Sequence, residues 1–308
     1  MAALPSGEEG SSGVVSVQAC VLGLEKALDL DEQELAKRCN MLQRFAEDLT
    51  NFCDPENNPT AFRRCQAAAG PAVPGLLAMA QAAEKATVRN VACVALARLS
   101  FGCPDNASSV AASERLAPVL SKALRPIYEI SQQEECLTAM QMLQAVAAAV
   151  PEAPMLAPLL PQVVGLMAGE GMGRPACRAV RIVALEVLVS CTLSHQLRKH
   201  VAKQLQEPAV RALLAEAQDT GADEAFPLAL LLANLCELPV EPEGDATRTF
   251  GDLGEALWEA TGFFEQLAEG LGAALRGEQW PPGSGIYHSP WKLAGACLRL
   301  ASARRAAA

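Results

Sequence analysis

Few residues in this chain are of a type that performs chemistry, and their spacing argues against each reaction in turn. There are three histidines in 308 residues. His195 and His200 are five positions apart, which on a helix points them in different directions and suits no shared metal. Arg198, Lys199 and Lys203 surround them and would repel a cation. His288 lies beside Tyr287 and Ser289, with no local partner that would make a nucleophilic Cys–His pair. The run Gly169-Glu170-Gly171-Met172-Gly173 resembles a phosphate loop only superficially. Such a loop needs a preceding strand and a Lys-Ser/Thr pair, whereas Arg174-Pro175 follows here, so the run reads as a turn. The adjacent carboxylates Glu134–Glu135 and Asp223–Glu224 fall at expected helix starts, where the helix dipole accounts for them. No catalytic constellation emerges. A non-enzymatic protein with no metal and no cofactor is expected.

The eleven cysteines tell the same story. They are scattered through Ala/Leu-rich stretches, never two residues apart and never grouped with a histidine. That pattern reads as small buried thiols in a reducing compartment, the cytoplasm or the nucleus. Glu8 and Glu9 stand where a secretory signal would carry a basic and then an apolar run, so no export signal is expected.

Hydrophobic residues make up 51% of the chain but aromatics only 4%, and the apolar share is mostly Ala, Leu and Val. Ala and Leu favour helix, and Ala lets helices approach closely. Alternating β-branched runs are nearly absent, so the chain reads as all-α. The segment Leu143–Ala168 carries Glu152 as its one charge and is long enough to span a membrane. Pro151, Pro154, Pro158 and Pro161 interrupt it, which predicts two core helices joined by a proline-rich turn, and no membrane span.

The net charge is −10. Residues 1–60 hold 4 basic against 11 acidic side chains (−7), residues 61–130 hold 8 against 4 (+4), residues 131–210 balance at 6 each, and residues 211–308 hold 7 against 14 (−7). With no dense basic stripe, nucleic acid is a poor partner. The basic second quarter reads as a solvated surface, or as a place for an acidic segment.

Self-similarity is the strongest signal. Two small or apolar residues, two variable positions and an apolar residue recur as Ala95-Leu96-Ala97-Arg98-Leu99, Met142-Leu143-Gln144-Ala145-Val146, Ala184-Leu185-Glu186-Val187-Leu188 and Leu231-Leu232-Ala233-Asn234-Leu235. A degenerate copy is Ala296-Cys297-Leu298-Arg299-Leu300. The last residues are spaced by 47, 42, 47 and 65. The first three intervals match helical solenoid repeats of about 40–47 residues. Each helical hairpin would carry an apolar face that it buries only by stacking on its neighbours.

Residues 69–77, with Gly70 and Gly75, followed by Val88–Ser100, resemble an armadillo repeat. In that family a glycine breaks the first short helix, and a long third helix ends in Ala-Leu-x-Asn-Leu. Pro104-Asp105-Asn106 through Leu124 resembles the start of a following repeat, and Leu232-Ala233-Asn234-Leu235-Cys236 the terminal signature. HEAT-type repeats share these features. The resemblance implies a right-handed superhelical solenoid. The expected division is a disordered tail over 1–13, a helical cap over 14–60, repeats over 61–236, and a degenerate terminal repeat over 237–308. That last part carries an acidic, Pro-rich insertion and the aromatics Trp258, Phe263, Phe264 and Trp280.

The resemblance also implies a binding face. In armadillo proteins the third helices line a concave groove, and the motif asparagine bonds the backbone of an extended peptide. Asn234 matches that slot, while Arg98, Ala145, Val187 and Arg299 occupy it elsewhere. One turn earlier stand Val94, Gln141, Val183, Leu230 and Gly295, without the aromatic partner found in nuclear-import receptors. A protein or peptide partner is therefore expected, an apolar or amphipathic helix rather than a basic peptide. The candidate face comprises Asn90, Val94, Arg98, Gln141, Val183, Val187, Leu230, Asn234 and Arg299. The expected function is an adaptor or scaffold. The alternatives are a structural arm of a larger complex, or an enzyme using a Cys or His in the 280–290 loop.

Overall fold

The computed structural model describes residues 59–125, 130–168, 178–205 and 222–235, together with the isolated positions 34, 37, 40, 41, 43, 44, 272, 276 and 295. The expected tail, the body of the N-terminal cap and almost all of the terminal repeat lie outside the described residues, as do the glycine run at 169–173, His288 and Arg299. Among the described residues there are helices and turns and no strand. The chain divides into two compact units, Met1–Met155 and Leu156–Ala308.

The first unit contains two successive three-helix repeats. In the first, α1 (Pro59–Ala69) is interrupted at Gly70 by a 3-10 turn (Gly70–Ala72), then α2 (Val73–Ala82) and α3 (Ala86–Ser100) follow. The second consists of α4 (Pro104–Ala111), α5 (Leu116–Ala123) and the long α6 (Ile130–Ala149). Prolines sit in the first turns of α1, α2 and α4, where a missing N–H costs nothing. Helix α3 ends where Gly102 takes φ +63, a left-handed conformation that glycine adopts without strain.

The third helices α3 and α6 form the densest pair in the unit, and α2 packs against α3 as α5 does against α6. Ala92 and Ala95 of α3 and Ala139 of α6 have no exposed surface, so small side chains bring these backbones together. Leu76, Leu77, Leu96, Leu99, Leu116, Leu120 and Met140 fill the space around them. Burying each contributes on the order of 1.5–3 kcal/mol.

In the second unit α7 (Leu160–Ala168) and α10 (Ala222–Leu235) both pack on α8 (Arg178–Cys191), and α9 (His195–Gln204) touches all three. The core draws on Leu166, Leu185, Leu188, Val201, Leu231 and Leu235. The proline-interrupted apolar stretch resolves as expected. Helix α6 stops at Ala149, a 3-10 helix covers Pro154–Leu159, and α7 resumes. No described helix is long and apolar enough to cross a membrane.

All four full copies of the sequence motif fall at the ends of α3, α6, α8 and α10. Their apolar residues are the core of each third helix: Leu99, Val146, Leu188 and Leu235 are all essentially buried.

Candidate protein-binding face

Asn90, Val94 and Arg98 recur every four residues along α3, so they share one side of the helix. Asn90 and Val94 are half-buried and Arg98 is exposed. On α6, Leu137, Thr138 and Gln144 are half-buried and Gln141 is exposed. Thr138 Oγ1 donates to Asn90 Oδ1 at 3.3 Å and also to the Glu135 carbonyl at 3.0 Å. This contact ties the two stripes together, so Asn90, Val94, Thr138 and Gln141 belong to one surface. Its chemistry is amide, hydroxyl and aliphatic, with Arg98 as a cation at one end.

A buried polar layer holds α3 and α6 in register beneath that surface. Arg89 Nε donates to Glu135 Oε1, and Arg89 Nη1 donates to the carbonyls of Ala83 and Glu84, both at 2.8 Å. The guanidinium thus neutralises the carboxylate and caps the end of α2 at once. One turn along, burial pushes the Cys93 thiol up to about 12; the Glu135 charge adds to the rise and the Arg89 charge opposes it.

The far end of α3 is closed by side-chain amides. Gln66 Nε2 donates to the carbonyls of Arg98 (2.7 Å) and Phe101 (2.8 Å), and Asn106 Nδ2 donates to those of Leu99 and Gln66, both at 3.0 Å. A Cβ at Gly70 would come 2.6 Å from Asn106 Oδ1, which is why the helix break carries glycine.

In the second unit the motif slots and the preceding positions differ sharply. Val183 and Leu230 are half-buried. Val187 is buried, and so is Asn234, whose Nδ2 donates to Thr192 Oγ1 at 2.8 Å. Thr192 in turn donates to the Val189 carbonyl at 2.6 Å, and its own carbonyl accepts from Arg198 Nε at 2.7 Å. The Asn234 amide therefore ties α10 to the end of α8 rather than standing at a surface. Across the repeats the slot residue is buried in three of four cases (Ala145, Val187, Asn234), with Arg98 the exposed one. The residue one turn earlier (Val94, Gln141, Val183, Leu230) is accessible each time.

On the same side of α8 as Val183 lies the half-buried Glu186. Burial pushes its carboxyl up to about 6. The two α9 histidines are both exposed, and no group of three or more potential ligands that could hold a metal occurs among the described residues. Cys65, Cys93, Cys136 and Cys191 are buried and in no disulfide, and Cys103, likewise unbridged, is half-buried.

Sequence reasoning missed the residues that position this surface. Glu135 is not a carboxylate at a helix start but lies more than a turn inside α6, paired with Arg89. Its partner is 46 residues away, so only the repeat period, added to Arg89, could have pointed to it.

No known family profile and no curated protein matches the sequence. Solved structures do match the fold. One designed armadillo repeat protein aligns with a TM-score of 0.56 at 16% identity, over 92% of this chain and 99% of its own. A second, determined in complex with the peptide (KR)4, aligns with a TM-score of 0.54 at the same identity and coverage. The chain is an all-α solenoid with the armadillo-like repeat fold.

Proposed function

We propose that this protein is a non-enzymatic adaptor or scaffold that binds a protein segment across the third helices of its repeats. The observation that carries the reading is the joined α3–α6 surface, where Asn90, Val94 and Gln141 remain accessible beside the buried Arg89–Glu135 ion pair. Preorganised surfaces lose less entropy on binding than mobile ones. In the second unit, taken by itself, Val183 and Leu230 are the accessible third-helix residues of this kind, while Val187 and Asn234 are buried. Arg299 would continue the series.

The surface chemistry favours an amphipathic segment that sets apolar side chains on Val94 and Leu137, its backbone on Asn90 and Gln141, and an acidic group at Arg98. The designed relative binds (KR)4, but a basic peptide would meet Arg98 unfavourably here. We place the protein in the cytoplasm or nucleus, consistent with its unbridged buried cysteines.

The test is proximity crosslinking from a photoreactive residue at Gln141, followed by affinity measurement of the captured segment against Val94→Asp/Arg98→Glu. Loss of binding by tenfold or more (roughly 1.4 kcal/mol), with unchanged helix content, supports the reading. Unchanged affinity overturns it.

A further inference from the structure

We propose that the accessible stripe of α8 receives a mostly aliphatic polypeptide segment carrying one Arg or Lys, whose cation pairs with Glu186. The inference rests on the reading of the third helices as binding surfaces and names the partner's chemistry at the second unit. On α8, Ala184, Leu185, Val187 and Leu188 are buried in the core of that unit. Ile182, Val183, Glu186 and Val189 are half-buried instead. Those four positions follow the spacing of one helix face and cover about 10 Å of its length. One carboxylate therefore stands in an otherwise aliphatic stripe.

That carboxylate has no partner. Among the described residues no side chain donates a hydrogen bond to it and no cation lies within ion-pair distance; Ser190 reaches only the Glu186 backbone carbonyl. Charges on the packed elements do not compensate it either. Helix α7 carries none, α9 carries His195, Arg198, Lys199, His200 and Lys203, α10 carries Asp223 and Glu224 in its first turn, and α8 itself holds Arg178 and Arg181. Burial alone raises the Glu186 carboxyl to about 6, and none of these charges contributes to the shift.

The free protein thus keeps, at neutral pH, a charge that opposes its own folding, where glutamine would fill the same volume. Groups retained against stability mark binding or catalytic sites. Catalysis has no second group to draw on here, and no cluster able to hold a metal occurs among the described residues. Binding remains, and the sign of the charge selects the occupant. An acidic segment or a phosphate backbone would be repelled. An Arg or Lys lays its aliphatic stem along Ile182 and Val183 while its head group meets the carboxylate.

The experiment uses the full chain and two rhodamine-labelled peptides of Leu, Ala and Ser, one with a central Arg and one with Gln in its place. Anisotropy is read at pH 7.5 and 5.0 for wild type, Glu186→Gln and Val183→Ser. Wild type should bind the Arg peptide about tenfold or more tighter than the Gln peptide at pH 7.5. That advantage should fall about tenfold at pH 5.0, where the carboxyl of the free protein holds its proton while Arg stays charged. Glu186→Gln should bind both peptides alike at both pH values, which separates the effect from titration of the exposed His195 and His200. An Arg preference retained in Glu186→Gln overturns the proposal, as does absence of binding by wild type. Equal affinity of wild type for the two peptides, lost in Val183→Ser, overturns it too, yet leaves the third helices as a binding surface. That wider reading stands or falls separately, with the Val94→Asp/Arg98→Glu measurement.

Discussion

Arg89 and Glu135, 46 positions apart in sequence, form an ion pair across the third helices of consecutive repeats at 6% and 2% exposure. Removing one partner strands the other's charge in the core. Glu135→Ala is expected to cost about 3–5 kcal/mol, and Arg89→Met a similar amount because it also uncaps α2. The double variant Arg89→Met/Glu135→Leu should be far less damaging than the sum. Urea denaturation followed by circular dichroism checks this; additive losses would show that the two side chains do not act as a pair.

A second coupled pair is Gly70 and Asn106. Asn106→Ala leaves the Leu99 and Gln66 carbonyls without that donor and is expected to cost about 1–3 kcal/mol. Gly70→Ala should destabilise the wild type by displacing the Asn106 amide, but should be nearly neutral in the Asn106→Ala background, where the space is free. Thermal melts of the four proteins measure the difference.

Glu186 predicts a pH dependence with a definite sign. Its carboxyl titrates near 6 in the folded chain against an ordinary 4.5. Between those values the native state holds a proton that the unfolded state has released, so stability falls as pH rises through the window. Glu186→Gln should therefore raise stability at pH 7.5 by about 1–2 kcal/mol, with no gain at pH 4.5. Urea midpoints at both pH values settle it, and an equal gain at the two would refute the linkage.

Thiol reactivity gives another check. Burial pushes both Cys93 and Cys191 up to about 12, so neither forms thiolate at neutral pH. Brief alkylation of the native protein at pH 8, followed by peptide mapping, should leave both unmodified, and among the described cysteines label the half-buried Cys103 first.

The repeat spacing located the third helices because it follows from burial: Leu96 and Leu99 must return to the core in every repeat, so their period is written in the residue types. The break at Gly70 was legible only through the armadillo resemblance; the structure supplies its reason, the close approach of the Asn106 side chain. The exposure of the motif slots was not legible. Asn234 has the chemistry of a ligand-binding amide, and only the position of Thr192 decides that it bonds within the fold. Glu135 shows the same limit. A carboxylate near a helix start is usually explained locally, and nothing in its neighbours announces an arginine one repeat earlier.

The amide clamp on α3 bears on where this chain can be divided. Its last carbonyls are satisfied by Gln66 from the helix that opens its own repeat and by Asn106 from the helix that opens the next. A cut in the turn at 101–103, the obvious seam by sequence period, would leave the Leu99 carbonyl without its partner and empty the space over Gly70. The smallest piece with a finished first repeat extends through α4 to Ala111, so the folding unit overlaps the sequence repeat instead of coinciding with it.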